Sequence, residues 1–255
     1  MSDTIIWITG ANYGIGAGLA KYAPHKGARI INVSNMQHPD YETVLFDLTE
    51  PATWDTVTAH FQKELAAFKG KRAIFLQNAH FAKDMGLVGE VEPQLYLKGI
   101  LANAVAPIYL ADGFLRACRP EFESGIMLMS SHAAAGPMPG LATYGAGKLG
   151  IEHWVKTVQA ERKLRGTGPW IVAMRPGFVD TPTTRETAEY GTKVYPRADK
   201  MKEALQSGNA QDPETTARAI WSFLPPPPDT HLIDASTSPL FDPKMSAAIR
   251  NSRKG

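Results

Sequence analysis

Two kinds of apolar spacing alternate along the chain. Short runs that are apolar at nearly every position, beginning with Thr4-Ile-Ile-Trp-Ile-Thr9, predict strands buried on both faces of a sheet. Such runs recur at 28–34, 43–48, 73–78, 125–131 and 170–175, and a last edge strand is expected at 231–235. Between them the apolar positions fall every three to four residues at 17–26, 51–68, 92–117, 144–165 and 213–223, which predicts helices. Strand followed by helix, repeated throughout, implies an α/β chain with a doubly wound parallel sheet in three layers. No break in composition marks a second domain, so residues 1–255 are read as one.

Three segments depart from this rhythm. Within 92–117, Pro107 is expected to end or kink the helix and free a carbonyl near Asn103, itself an unfavourable helix residue in an apolar setting. Residues 179–212 are rich in Thr, Glu, Lys and Tyr, carry Pro182 and Pro196, and show no strong strand. A long segment of this kind after a strand's carboxyl end is expected to be a substrate lid. Asp212 and Pro213 then suit the N-cap and first position of a helix, 225–228 reads as a stiff proline linker, and 236–255 as an irregular tail.

Composition narrows the class. With 44% hydrophobic and 20% charged residues and a formal net charge of +2, the chain is balanced, and no long basic block appears, only short clusters such as Arg253-Lys254 near the end. That gives no electrostatic case for nucleic acid or an acidic membrane surface, and favours a small-molecule partner. No apolar run approaches the ~18 residues of a membrane span, no secretory leader is apparent, and Cys118 is the single cysteine. A cytoplasmic protein is expected.

The candidate chemistry sits where the strands end. After the first strand, Gly10-Ala-Asn-Tyr-Gly14-Ile-Gly16 leads straight into a helix, an arrangement that lets backbone amides approach a pyrophosphate. At the end of the second strand, where a carboxylate would bind a ribose 2′-hydroxyl, stand Ser34 and Asn35, which leans toward NADP over NAD. Asn78 closes the fourth strand. Ser131 ends the fifth, and Tyr144 and Lys148 follow four residues apart on one helix face. An ammonium beside a phenol favours the phenolate, so Lys148 is expected to lower the pKa of Tyr144 and make it a proton donor.

Taken together, Thr9-Gly10-Ala-Asn-Tyr-Gly14-Ile-Gly16, Asp47-Leu48, Asn78-Ala79, Asn103, Ser131, Tyr144-Gly-Ala-Gly-Lys148 and Pro176-Gly-Phe-Val-Asp-Thr181 resemble the short-chain dehydrogenase/reductases. The resemblance extends over residues 4–223 and implies a Rossmann-like fold. It also implies an NAD(P)-dependent oxidoreductase that interconverts a ketone and a secondary alcohol. Tyr144 is then the general acid/base, Ser131 holds the substrate oxygen, Lys148 holds the nicotinamide ribose, and Asn103 holds a water linking Lys148 to solvent. For the cofactor, Gly10, Asn12, Gly14, Ile15 and Gly16 are placed at the pyrophosphate, and Asp47 and Leu48 at the adenine. Asn78 and Ala79 are placed at the adenosine ribose, and Pro176, Gly177, Val179 and Thr181 around the nicotinamide, with a buried Thr181 hydroxyl on the carboxamide.

For the substrate the expected wall is His80, His132, Met138, Phe178 and Tyr190, with Tyr195 and Pro137 beside them, suited to an apolar or aromatic carbonyl. His80 stands where the family often has glycine, and no metal-ligand spacing joins the two histidines. The segment Leu232-Ile-Asp-Ala-Ser-Thr-Ser238 replaces the family's glycine-rich ending, which bears on its tetramer contact. A homodimer or homotetramer is implied, with the dimer built through the helices starting near Glu92 and Tyr144. Two alternatives carry different chemistry: a regulatory protein that senses NADP without turnover, and a sugar-nucleotide epimerase or dehydratase.

Overall fold

Strand β1 (Thr4–Thr9) is buried along its whole length, and its alternate residues feed two different cores. Ile5 and Trp7 enter one apolar layer, and Ile6 and Ile8 the other. Period-two alternation with both faces apolar is what a sheet covered by helices on each side requires. The structure is a computed structural model that describes residues 2–241.

The elements follow in chain order. After β1 come α1 (Gly14–Lys21), β2 (Arg29–Ser34), β3 (Glu42–Leu45), α2 (Trp54–Ala67) and β4 (Arg72–Gln77). Next are α3 (Pro93–Ile100), α4 (Ala106–Ala117), β5 (Glu123–Met129), α5 (Ala142–Arg165) and β6 (Trp170–Arg175). The chain continues with α6 (Pro182–Ala188), α7 (Ala198–Gln206), α8 (Pro213–Ser222) and β7 (Leu232–Asp234). The seven strands form one parallel sheet in the order β3-β2-β1-β4-β5-β6-β7. The direction in which successive strands are added reverses between β1 and β4, so the crevice opens beyond Thr9 and Gln77, where ligands bind in such sheets.

One core lies under α2, α4 and α5 and is dominated by rings: Phe61 meets Trp7, Phe75 and Phe114 edge-on with centroids 5.1–5.3 Å apart. The other lies under α1 and α8, where Trp221 donates its indole N–H to the Leu19 carbonyl at 2.9 Å. Because Phe61 is fully buried among three other rings, Phe61→Ala is expected to destabilise the fold by about 3–5 kcal/mol. Urea unfolding of the two proteins measures this, and a loss under about 1 kcal/mol would contradict the packing described.

The expected elements are present, with shifted ends. The first helix stops at Lys21 rather than residue 26, since Pro24 follows, and β3 ends at Leu45 rather than 48. α5 starts at Ala142, so Tyr144 lies within its first turn instead of opening it. The 92–117 stretch is two helices joined by a π-helical turn, Leu101–Val105, with Pro107 just after it. That stretch is long and apolar enough by composition to cross a membrane, but half of its most apolar window is buried inside the domain. The expected N-cap is present: the Asp212 carboxylate accepts from the Thr215 amide at 2.7 Å. Residues 179–212 contain α6 and α7, two short helices that the spacing did not reveal. Of the expected tail, 242–255 lie outside the described residues.

Candidate active site

The glycine turn is built by contacts that exclude side chains. Gly10 and Gly14 have φ of +71° and +59°, a region costly for other residues. A Cβ on Gly16 would stand 2.0 Å from the Gly10 carbonyl oxygen. The turn is braced from both neighbouring strands. Buried Asn32 accepts from the Ala11 amide at 3.0 Å, and the Thr9 hydroxyl accepts from the amides of Asn78 and Ala79 at 2.8 and 2.9 Å. Asn32 is outside the expected site residues, and Thr9 enters them only as the first residue of the glycine-turn motif. A polar side chain inside an otherwise apolar strand was the available signal.

The cavity beyond these strand ends has a volume of about 480 Å³. Ser131, Tyr144 and Lys148 line it, together with Gly10, Gly14, Ile15, Asn78, Ala79, Pro176, Gly177, Val179 and Thr181 of the expected cofactor set. Six residues of that set do not: Asn12, Gly16, Ser34, Asn35, Asp47 and Leu48. Gly16 is buried beneath the turn, and Leu48 packs against the ring-rich core. Asp47 Oδ1 accepts from the Thr49 amide and hydroxyl, both at 2.8 Å, which closes the turn before α2. Ser34 accepts from the Met36 amide at 3.2 Å, and Asn35 is exposed. Thr181 is half-buried rather than buried, and its hydroxyl accepts from the Thr184 amide at 3.1 Å as the N-cap of α6.

Asn103 is fully buried and does not point its amide at Lys148. Its Oδ1 accepts from the Phe81 amide and its Nδ2 donates to the Phe81 carbonyl, both at 2.9 Å. What it turns toward α5 is its backbone carbonyl, because a Cβ on Gly147 would lie only 2.4 Å from that oxygen. Gly147 lets α5 come this close, next to Lys148.

Lys148 is almost fully buried, and its ammonium donates to the Met129 carbonyl at 2.6 Å. Burial without an anionic partner pulls its pKa down from 10.5 to about 7. The ammonium lies 5.5 Å from the centre of the Tyr144 ring. Tyr144 does not behave as expected from the pair alone. Burial raises its pKa, and the opposing influence is a hydrogen bond with Ser131 rather than the charge of Lys148. The reason is that desolvation disfavours both charged forms and here exceeds their mutual attraction.

Of the expected substrate wall, His80, His132, Met138 and Phe178 line the cavity, and Tyr190 does not. Tyr190 packs beneath it against Met85, Tyr195 and Ala198. The His80 ring stands 5.6 Å from that of Tyr144; part of it is open to the cleft, but the surrounding walls and Lys148 push its pKa down to about 4, so it is neutral at pH 7. His132 Nε2 pairs with Asp234 at 2.7 Å, tying the loop after β5 to edge strand β7. The wall also holds residues outside the expected set: Asp84, whose buried carboxylate accepts from the Thr143 hydroxyl, Arg197 just before α7, and Lys200 and Met201 on that helix.

A family model described as short chain dehydrogenase matches residues 4–191. The chain belongs to this family. Among the short-chain dehydrogenases, the 3-oxoacyl-[acyl-carrier-protein] reductase FabG of Escherichia coli (strain K12) is 25% identical over 195 residues, covering 72% of this chain and 77% of its own. The KRED1-Pglu enzyme superposes with a TM-score of 0.76 at 19% identity, over 90% of this chain and all of that one. A point variant of the actinorhodin polyketide ketoreductase, solved with NADPH, gives 0.74 at 18% identity, over 91% and 95%. These likenesses in fold agree with the seven-stranded sheet, and the family is one of oxidoreductases.

The residues at the glycine turn suit a nicotinamide dinucleotide by their own chemistry. Two positive-φ glycines and a close-packed third leave backbone amides free for a pyrophosphate. Asn12 Oδ1 is a buried acceptor without a partner among the described residues, and the Lys148 ammonium has three donor protons for the single acceptor named above.

Proposed function

We propose that the protein is an NADP(H)-dependent carbonyl reductase or secondary-alcohol dehydrogenase. The observation that carries this reading is the convergence of Ser131, Tyr144 and Lys148 on one cavity beside the glycine turn. The bound dinucleotide supplies the hydride to the carbonyl carbon. Tyr144, protonated at neutral pH, gives its phenolic proton to the carbonyl oxygen, and Ser131 hydrogen-bonds the same oxygen to fix it. Lys148 holds the ribose hydroxyls, and the Asn103 carbonyl holds a water behind it. The preference for NADP(H) rests on the absence of a carboxylate at Ser34 and Asn35. The NADPH of the ketoreductase above is in line with it.

The substrate enters under residues 179–212, which act as a lid. Met138, Leu141, Phe178, Tyr195 and Met201 give that space an apolar wall for an aliphatic or aromatic carbonyl. Arg197 and Lys200 have no ion pair among the described residues, whereas Lys202 on the same helix pairs with Glu189. They favour a substrate whose far end is anionic. The name of the FabG relative adds a second reading, a 3-oxoacyl group borne on an acyl-carrier protein.

Outside the cavity, Leu97, Ile100, Val105 and Tyr109 of the α3–α4 stretch and Leu149 of α5 are exposed. A second copy of the chain covers this face in the proposed homodimer.

The test is a reductase assay with NADPH and NADH in parallel, on neutral ketones, keto acids and a 3-oxoacyl thioester. Turnover of at least one carbonyl with a preference for NADPH is expected. A strong preference for NADH would overturn the cofactor assignment. Tight NADPH binding with no turnover of any carbonyl or alcohol would favour a sensor.

A further inference from the structure

Tyr144, Lys148 and Glu152 are spaced four apart on α5 and so share one face of the helix. The third of them is a buried carboxylate with every bond directed. Its Oε1 accepts from the Ser130 hydroxyl at 2.6 Å and from Arg175 Nε at 2.8 Å, and its Oε2 accepts from Arg175 Nη2 at 2.8 Å. Arg175 is itself largely buried, and it is the last residue of β6, directly before Pro176 and Gly177. Ser130 lies between Met129, whose carbonyl receives Lys148, and Ser131.

A single carboxylate therefore joins the three segments that carry the site: α5, the end of β5 and the end of β6. Burying an ion pair is a poor way to add stability, because the cost of removing both charges from water offsets their attraction. What a two-pronged guanidinium–carboxylate pair supplies is fixed direction. The strand ends are already registered to each other, with the Ser130 amide donating to the Met174 carbonyl at 2.7 Å. Nothing in that ladder fixes how far α5 has turned or slid over them. On its other side α5 is set by Gly147 against the Asn103 carbonyl. Lys148 stands between the two contacts.

We propose that Glu152 and Arg175 are positioning residues of the redox centre, their ion pair holding α5 on the ends of β5 and β6 so that Tyr144 and Lys148 meet Ser131 and the 176–181 loop in register. The proposal rests on the reading of Tyr144 and Lys148 as the redox centre. The pair is neutral as a whole, so each half screens the other from the site. The other titratable and charged groups around that site are Tyr144 and Lys148 on α5, Tyr13 in the glycine turn, His80 after β4, Asp84 on the wall, Tyr195, Arg197 and Lys200 under the lid, and the His132–Asp234 pair beside β7, all unchanged in these variants.

The experiment measures kcat, KM and the pH profile of carbonyl reduction in Glu152→Gln, Arg175→Met and the double variant carrying both. Displacing the acid and the ribose-binding lysine is expected to lower kcat by about 10–100-fold in the double variant, with KM for the carbonyl changed much less. The alkaline limb, where Tyr144 loses its proton, separates positioning at the site from mere folding. Glu152→Gln leaves Arg175 uncompensated and moves the limb to lower pH; Arg175→Met leaves the carboxylate uncompensated and moves it to higher pH; the double variant restores it. Arg175→Lys keeps the charge but loses the fork and should recover the limb without recovering all of kcat.

The double variant buries no unpaired ion, so it remains testable if either single variant fails to fold. A folded double variant with kcat within twofold of the parent overturns the proposal, as do single variants whose limbs stay together. If Tyr144→Phe retains full activity, the redox reading itself falls; if that variant is inactive while the double variant is not, only the positioning role falls.

Discussion

Replacing Tyr144 with phenylalanine is expected to lower kcat for carbonyl reduction by about 10²–10⁴-fold, the usual worth of a positioned general acid. NADPH binding, followed by its fluorescence, should change little, because the ring that packs near His80 and Lys148 is kept. The phenol suits the role through its surroundings. Burial raises its pKa, so it holds its proton across the neutral range, and its interaction with Ser131 opposes that rise where both side chains line the cavity. Reduction should accordingly be insensitive to the state of Tyr144 near pH 7 and fail only on the alkaline side. A Tyr144→Phe variant within tenfold of the parent would remove Tyr144 from the chemistry.

Lys148→Met is expected to act in opposite directions on activity and stability. It should lower kcat by about 10²-fold or more by removing the group proposed to orient the nicotinamide ribose. At pH 6, however, the variant without cofactor should be the more stable protein. Burial holds the folded pKa of Lys148 at about 7 against an ordinary 10.5. The unfolded chain therefore binds more protons between those values, and the parent gains stability as pH rises through that window.

Below pH 7 the parent carries the whole cost of a buried charge, on the order of 4–5 kcal/mol for such a shift. The Met129 carbonyl loses its donor in the variant, which costs about 1–3 kcal/mol. A net gain of about 1–4 kcal/mol at pH 6 follows, shrinking toward pH 10. Urea unfolding at the two pH values measures it; a variant less stable than the parent at pH 6 would show that Lys148 is not held as a strained cation.

Much of the site was legible because its residues are unusual where they stand. Glycines that follow a buried strand and a tyrosine four residues before a lysine are local patterns, and the sheet then brings them together. Other features had no local signature. Which atoms of Asn103 serve the fold and which face the site could not be read locally: its amide is paired with Phe81 and its carbonyl faces α5, an outcome set by how closely Gly147 allows the two segments to approach. Glu152 reads in sequence as an ordinary helix acid. Only the arrival of Arg175 and Ser130 from two strands makes it a junction. α6 and α7 escaped notice because short polar helices depend on caps such as Thr181 and on what they lie against.

By itself the sequence determined the alternation of strands and helices, the doubly wound parallel sheet, and the order in which the site residues arrive. These follow from period, from glycine and proline geometry, and from the need to bury both faces of each strand. The tertiary structure decided the protonation states and the neighbours. Whether Lys148 lowers or fails to lower the pKa of Tyr144 depends on how much water is excluded from both, and whether Tyr190 or Met201 lines the cavity depends on how two short helices lie over it. Those are properties of an enclosed volume, and a volume is closed only when distant segments meet.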